Sequence, residues 1–179
     1  MMVDLYLLQS VSYMAGALGV CIAAIYYVMT LRASERNRRI QLVSQISNDL
    51  INFEGYSKYF DLLNMEWTDY DDFEKKYGSD FNVHAASQRF SVWLILNKLG
   101  YMLSKGLVDA EDIYEMGGGT CMTQWTKWEA IISENRRRYN GADYLSYFEY
   151  LAGEMNEMKL RKDPSYVQPK TLSKYVPDK

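Results

Sequence analysis

Cysteine is nearly absent: 179 residues hold two, Cys21 and Cys121. That excludes a disulfide framework and a thiolate zinc site. Histidine occurs once, as His84, so with no second histidine and no cysteine pair the chain offers little for a metal site or a Cys-His nucleophile. Proline occurs three times, at Pro164, Pro169 and Pro177. Nothing ahead of those positions is interrupted by a residue that breaks helices. Surplus positive charge is missing too: the net charge is −3, and residues 40 to 179 alone carry −5. Nucleic-acid binding relies on a basic footprint to neutralise phosphates, so this acidic body speaks against it.

What the chain does have is an apolar run from Val11 to Leu31 without a single charge, followed by Arg32, Arg36, Arg38 and Arg39 against only Glu35. A helix rises about 1.5 Å per residue, so the steps from Tyr6 to Tyr26 and Tyr27 cover roughly 30 Å, the thickness of the hydrocarbon layer. The tyrosines then fall where an aromatic belt sits. A cleaved signal would carry positive charge before its apolar core, whereas this head carries Asp4 and the arginines follow. The pattern predicts one retained transmembrane helix in the plasma (cytoplasmic) membrane. Because the arginine excess follows the span, the amino terminus is expected outside and residues 32 to 179 in the cytoplasm. The collar of Arg32, Arg36, Arg38 and Arg39 is matched to anionic lipid headgroups. Within the span, Ala15, Gly16, Gly19 and Ala23 put small residues on one strip, which lets helix backbones approach closely in lipid. That strip is a candidate seam for self-association or for a larger membrane protein, although Gly and Ala are common in any spanning helix. Cys21 falls near mid-membrane and reads as filler.

Four segments follow: residues 1–31 as tail and span, 32–39 as basic collar, 40–162 as a helical bundle domain, and 163–179 as a disordered, proline-punctuated tail. The body reads all-α. Ile40, Val43, Ile46, Leu50 and Phe53 recur at helical spacing and predict an amphipathic helix running out of the span. Gly55 and the stretch Tyr56, Tyr59, Phe60 and Leu62 lead to Trp67, after which Thr68 is placed to cap a short helix with Asp69, Asp71 and Asp72 in its first turn. A longer helix is expected near Asn82 to Ser104. It is apolar almost all round from Phe90 to Leu103, as the centre of a bundle rather than its skin. A short acidic helix from Asp109 ends at Gly117, Gly118 and Gly119. Thr120 is placed to cap the next helix, which carries Met122, Trp125, Trp128 and Ile132 on one face and closes in Arg136, Arg137 and Arg138. Asn140 and Gly141 make a turn, and a last helix points Tyr144, Phe148, Leu151 and Met155 inward.

The order of anchor, collar and amphipathic helix continues into Trp67-Thr68-Asp69-Tyr70, Phe73 to Gly78, Leu99-Gly100, Leu107-Val108-Asp109, and Trp125 with Trp128 ahead of Ile132 and Arg136. It resembles a family of short, uncharacterised prokaryotic single-pass membrane proteins with a cytosolic helical domain. The resemblance covers nearly the whole chain and implies no activity.

Other constellations have plain readings beside the chemical ones. Asp69, Asp71, Asp72 and Glu74 present carboxylate oxygens for a hard cation, yet lack the alternation and turn glycine of a calcium loop. Gly117-Gly118-Gly119 precedes a helix, where free amides bind anions, but no Lys-Ser or Lys-Thr follows; a hinge or cap is the plain alternative. Cys121 sits at a helix start that favours a thiolate. Four tryptophans and 16 tyrosines fill a bundle core more often than they build a binding surface. No catalytic residue, cofactor or metal is assigned, and no enzyme is expected. The leading expectation is a membrane-anchored assembly or accessory subunit, partnered with the bilayer and with itself or a larger complex, and not with nucleic acid. The alternative is a membrane-tethered, metal-dependent hydrolase or signalling effector using the acidic clusters.

Overall fold

The computed structural model describes residues 5–167, without the side chains of residues 46, 47 and 49–51. The expectations for Asp4, Ile46, Leu50, Pro169, Pro177 and the tail beyond residue 167 therefore lie outside the described residues. The described part is all-α, in the order α1 (Leu5–Ile51), α2 (Phe53–Asn64), α3 (Tyr70–Tyr77), α4 (Val83–Ser104), α5 (Ala110–Ile113), a π-turn (Tyr114–Gly118), α6 (Gly119–Tyr139) and α7 (Ser146–Lys162). The chain divides into two compact units, Met1–Gln41 and Leu42–Lys179.

In the first unit every described residue up to Arg38 is exposed. Within Leu5–Gln45 the helix is long and apolar enough to cross a membrane, and none of that apolar window is buried.

The second unit is a helical domain whose main pairing is α4 against α7, with α6 beside α7 and α2 beside α4. Gly100 permits the first contact, because a Cβ there would run into the backbone carbonyl of Tyr147. At the start of α7, Asn97 of α4 accepts a hydrogen bond from the Phe148 amide at 3.1 Å. A neighbouring helix thus satisfies one of the amides that a helix start leaves open. Leu145 reaches that start with φ at +57° and its side chain buried. Trp93, Trp128, Phe73, Phe148, Leu62 and Leu151 form the centre of the core.

The helix limits follow local chemistry, with some corrections to the sequence reading. Asp69, not Thr68, caps α3: its side chain accepts from the Asp72 amide at 2.8 Å, while the Thr68 amide donates to Asp72. Asp71 and Asp72 in the first turn and Lys75 and Lys76 in the last turn suit the helix dipole. Thr120 does not cap α6 either. It lies inside the helix, and its hydroxyl donates back to the Gly117 carbonyl at 3.1 Å, because the chain passes from α5 into α6 through the π-turn rather than through a loop. Gly55 is buried within α2, the helix that leads to Trp67. Phe53 begins α2 and is 92% exposed, because Asn52 ends the preceding helix by capping α2 through the Gly55 amide. Asn140 takes the left-handed conformation, φ +51°, after Arg136, Arg137 and Arg138, as the expected turn required. Tyr144 lies ahead of α7 rather than in it.

Candidate functional site

The small-residue strip and the collar both belong to α1. Ala15, Gly16, Gly19 and Ala23 are exposed, and a Cβ added at Gly16 or Gly19 would meet nothing within 4 Å. Arg32, Arg36 and Arg38 are exposed, whereas Arg39 is half-buried and already partnered.

The second exposed apolar surface lies on α4. Val83, Phe90, Leu94 and Tyr101 are exposed on it, with the small Ser87 exposed between the first two, and Leu94 is 55% exposed. The expectation that this helix is central all round is corrected: Val92, Trp93, Leu96 and Leu99 are buried, but the opposite stripe has no covering helix among the described residues. The four apolar residues are separated by seven, four and seven positions, a register in which one helix packs along another.

Beneath this surface sits a cluster of rings and cations. Trp67 stacks on Trp128 at 4.8 Å, and Trp93 meets Trp128 edge-on at 5.3 Å. The Lys127 ammonium lies 4.3 Å from the Trp67 ring centre and donates to the Met65 carbonyl at 2.5 Å. Burial pulls its pKa down to about 7. Arg89 is buried as well. Its guanidinium donates to the Tyr77 carbonyl at 2.8 Å and covers the Phe73 ring at 4.7 Å, and burial lowers its pKa. Trp128 and Trp93 are fully buried, while Trp67 and Trp125 are half-buried against the core; the tryptophans are core residues, as the plainer sequence reading has it.

The charged clusters are brought together in another way than the sequence alone conveys. Arg138 bridges Asp71 of α3 and Glu134 of α6, each at 2.8 Å. Arg137 pairs with Glu134 and Arg136 with Glu149, so the three arginines are matched to carboxylates. Asp69 is spent on its cap, and Asp72 accepts from Lys76 at 2.8 Å. Among the described residues no three His, Cys, Asp or Glu side chains gather where an ion would be held. His84 is exposed in the first turn of α4, whose cap is Asn82. Cys121 is buried; its thiol donates to the Gly118 carbonyl at 2.7 Å, and burial pushes its pKa up to about 12. Burial thus works against the thiolate that a helix start favours. Gly117 sits in the π-turn with φ at +97°.

Sequence reasoning missed Lys127 and Arg89 as buried cations, and Gln124 as a buried amide. The signal was present for α6: Gln124, Lys127 and Ile131 fall three and four residues apart on the stripe that also holds Trp128, but charge argues for the surface when position is judged alone.

A family model described as a domain of unknown function, DUF4760, matches residues 14–155. The chain belongs to that family. The match to DUF4760 begins inside the apolar part of α1 and ends in α7, so it includes the π-turn and the ring cluster. No curated protein and no solved structure matches the chain.

Proposed function

We propose that this protein is a single-pass membrane subunit that assembles with itself or with a larger membrane complex. α1 crosses the plasma (cytoplasmic) membrane with the amino terminus outside, and residues 32–179 work in the cytoplasm. The observation that carries the reading is the apolar window of α1, none of which is buried among the described residues. Free apolar surface of that extent demands a bilayer or another helix. The exposed stripe of α4 supports an assembling role for the domain, and Arg32, Arg36 and Arg38 are free to meet anionic headgroups. Tethering then acts as mechanism: confinement to the membrane plane raises the effective concentration of domain and partner.

The test is extraction of the tagged full chain from its native membranes in mild detergent, followed by particle mass and quantitative mass spectrometry. A stoichiometric second protein or a homo-oligomer is the expected result. A monomer, or recovery of the chain in the soluble fraction, would overturn the reading.

A further inference from the structure

A cavity of about 80 Å³ lies between α2, α4, the π-turn and α6. Its wall is built from Val92, Leu96 and Leu99 of α4, from Ile113 and Met116 around the turn, and from Leu151 of α7. The π-turn borders the space. The chain kinks inside it, with Gly117 left-handed at φ +97° and Met116 also outside helical geometry, so α5 and α6 do not run on as one straight helix. The back of the turn is pinned: a Cβ at Gly118 would lie 2.7 Å from the Met155 sulfur and 2.8 Å from the Ile113 carbonyl. The front is open, since a Cβ at Gly117 would meet nothing within 4 Å.

The polar atoms of the wall are spent on the protein itself. Thr120 donates to the Gly117 carbonyl and Cys121 to the Gly118 carbonyl. The Gln124 amide donates to the Tyr59 carbonyl at 3.3 Å and accepts from the Trp128 indole at 3.0 Å. A polar group brought inside would leave its water partners and find few in exchange. Apolar cavities of similar or somewhat larger size stay dry and take apolar ligands. Exposed Tyr56 and half-buried Tyr59 also line the cavity, and the apolar bodies of their rings extend its wall.

We propose that this cavity receives the end of an acyl chain, supplied by a free fatty acid or by a membrane phospholipid, with the headgroup left outside. The space is small, so only the end of the chain enters. The proposal stands on the unit Leu42–Lys179 and does not depend on the assembly reading, which particle mass tests separately.

The experiment uses the full chain in nanodiscs. One arm adds dodecanoic acid carrying a diazirine at its terminal carbon, and the other incorporates phosphatidylcholine bearing the same labelled chain. After irradiation, mass spectrometry maps the sites of insertion. Insertion at Met116, Cys121, Leu96 or Leu99 is expected, and it is expected to be competed by unlabelled dodecanoic acid. Cys121→Met and Val92→Ile each fill part of the cavity, and loss of that insertion is expected in either variant that keeps its helical circular dichroism. Insertion from the first arm assigns a free fatty acid, and from the second a bilayer lipid; either supports the proposal. Insertion confined to residues 5–45, no insertion at all, or cavity insertion unchanged in both variants would overturn it.

Discussion

Lys127 and Met65 are joined across 62 positions of sequence, the buried ammonium donating to the carbonyl oxygen at 2.5 Å. The bond closes the connection between α2 and α3 onto α6. It also sets a dependence on pH. The folded pKa, about 7, lies below the value near 10.4 of an unfolded lysine. Between the two the unfolded chain holds a proton that the folded chain has released, so stability rises with pH across that window. Below it both states are protonated and the folded state carries the whole cost of burying the charge. The thermal midpoint followed by circular dichroism is expected to climb from pH 7 to pH 9, and Lys127→Met to remove the climb. A wild-type midpoint no more pH-sensitive than the variant's would refute the burial account.

Gly100 and Gly153 make a paired test of the α4 and α7 contact. A Cβ at Gly100 meets the Tyr147 backbone, whereas one at Gly153 meets nothing within 4 Å. Gly100→Ala is expected to destabilise by about 1–3 kcal/mol, the usual cost of overpacking. Gly153→Ala is expected to stabilise by up to ~1 kcal/mol through helix propensity. Urea unfolding of the two variants checks both signs at once.

Trp128 touches Trp67, Trp93 and Phe73, and its indole donates to Gln124. Trp128→Ala is expected to cost about 3–5 kcal/mol, as large-to-small changes in a packed core do. Trp128→Phe keeps most of the volume but leaves the buried Gln124 oxygen without its donor, a loss of roughly 1–3 kcal/mol. The stacked Trp67 and Trp128 rings are expected to give a near-ultraviolet dichroism that both variants lose. Retention of that signal in either would show that the stack is not the source.

Under the proposed assembly, Gly16→Leu with Gly19→Leu is expected to lower the mass of the detergent-extracted particle, because bulky side chains hold helix backbones apart. An unchanged particle would remove the strip on α1 as the seam and leave α4 as the assembling face. Leu94→Glu then tests that face by the same measurement.

The sequence by itself determined the all-α class, the apolar helix at the amino end and some of the places where helices stop, Gly78 and Asn140 among them. Helical period, the confinement of proline to the carboxyl end, and capping or left-handed residues such as Asp69 and Asn140 act over a few positions, and so can be read a few positions at a time. Even there, neighbours one residue apart competed: Asp69 took the cap from Thr68, since the Asp72 side chain claimed the Thr68 amide. What only the tertiary structure decided is which face of α4 stays uncovered, that Lys127 and Arg89 are buried, and that the triple glycine bends into a π-turn beside a cavity. These depend on contacts 12 to 65 positions apart, such as Arg89 with Tyr77 and Gln124 with Tyr59. A helix that is apolar all round reports no preferred face, and a lysine among tryptophans reads as surface until a distant carbonyl and an aromatic ring are placed around it.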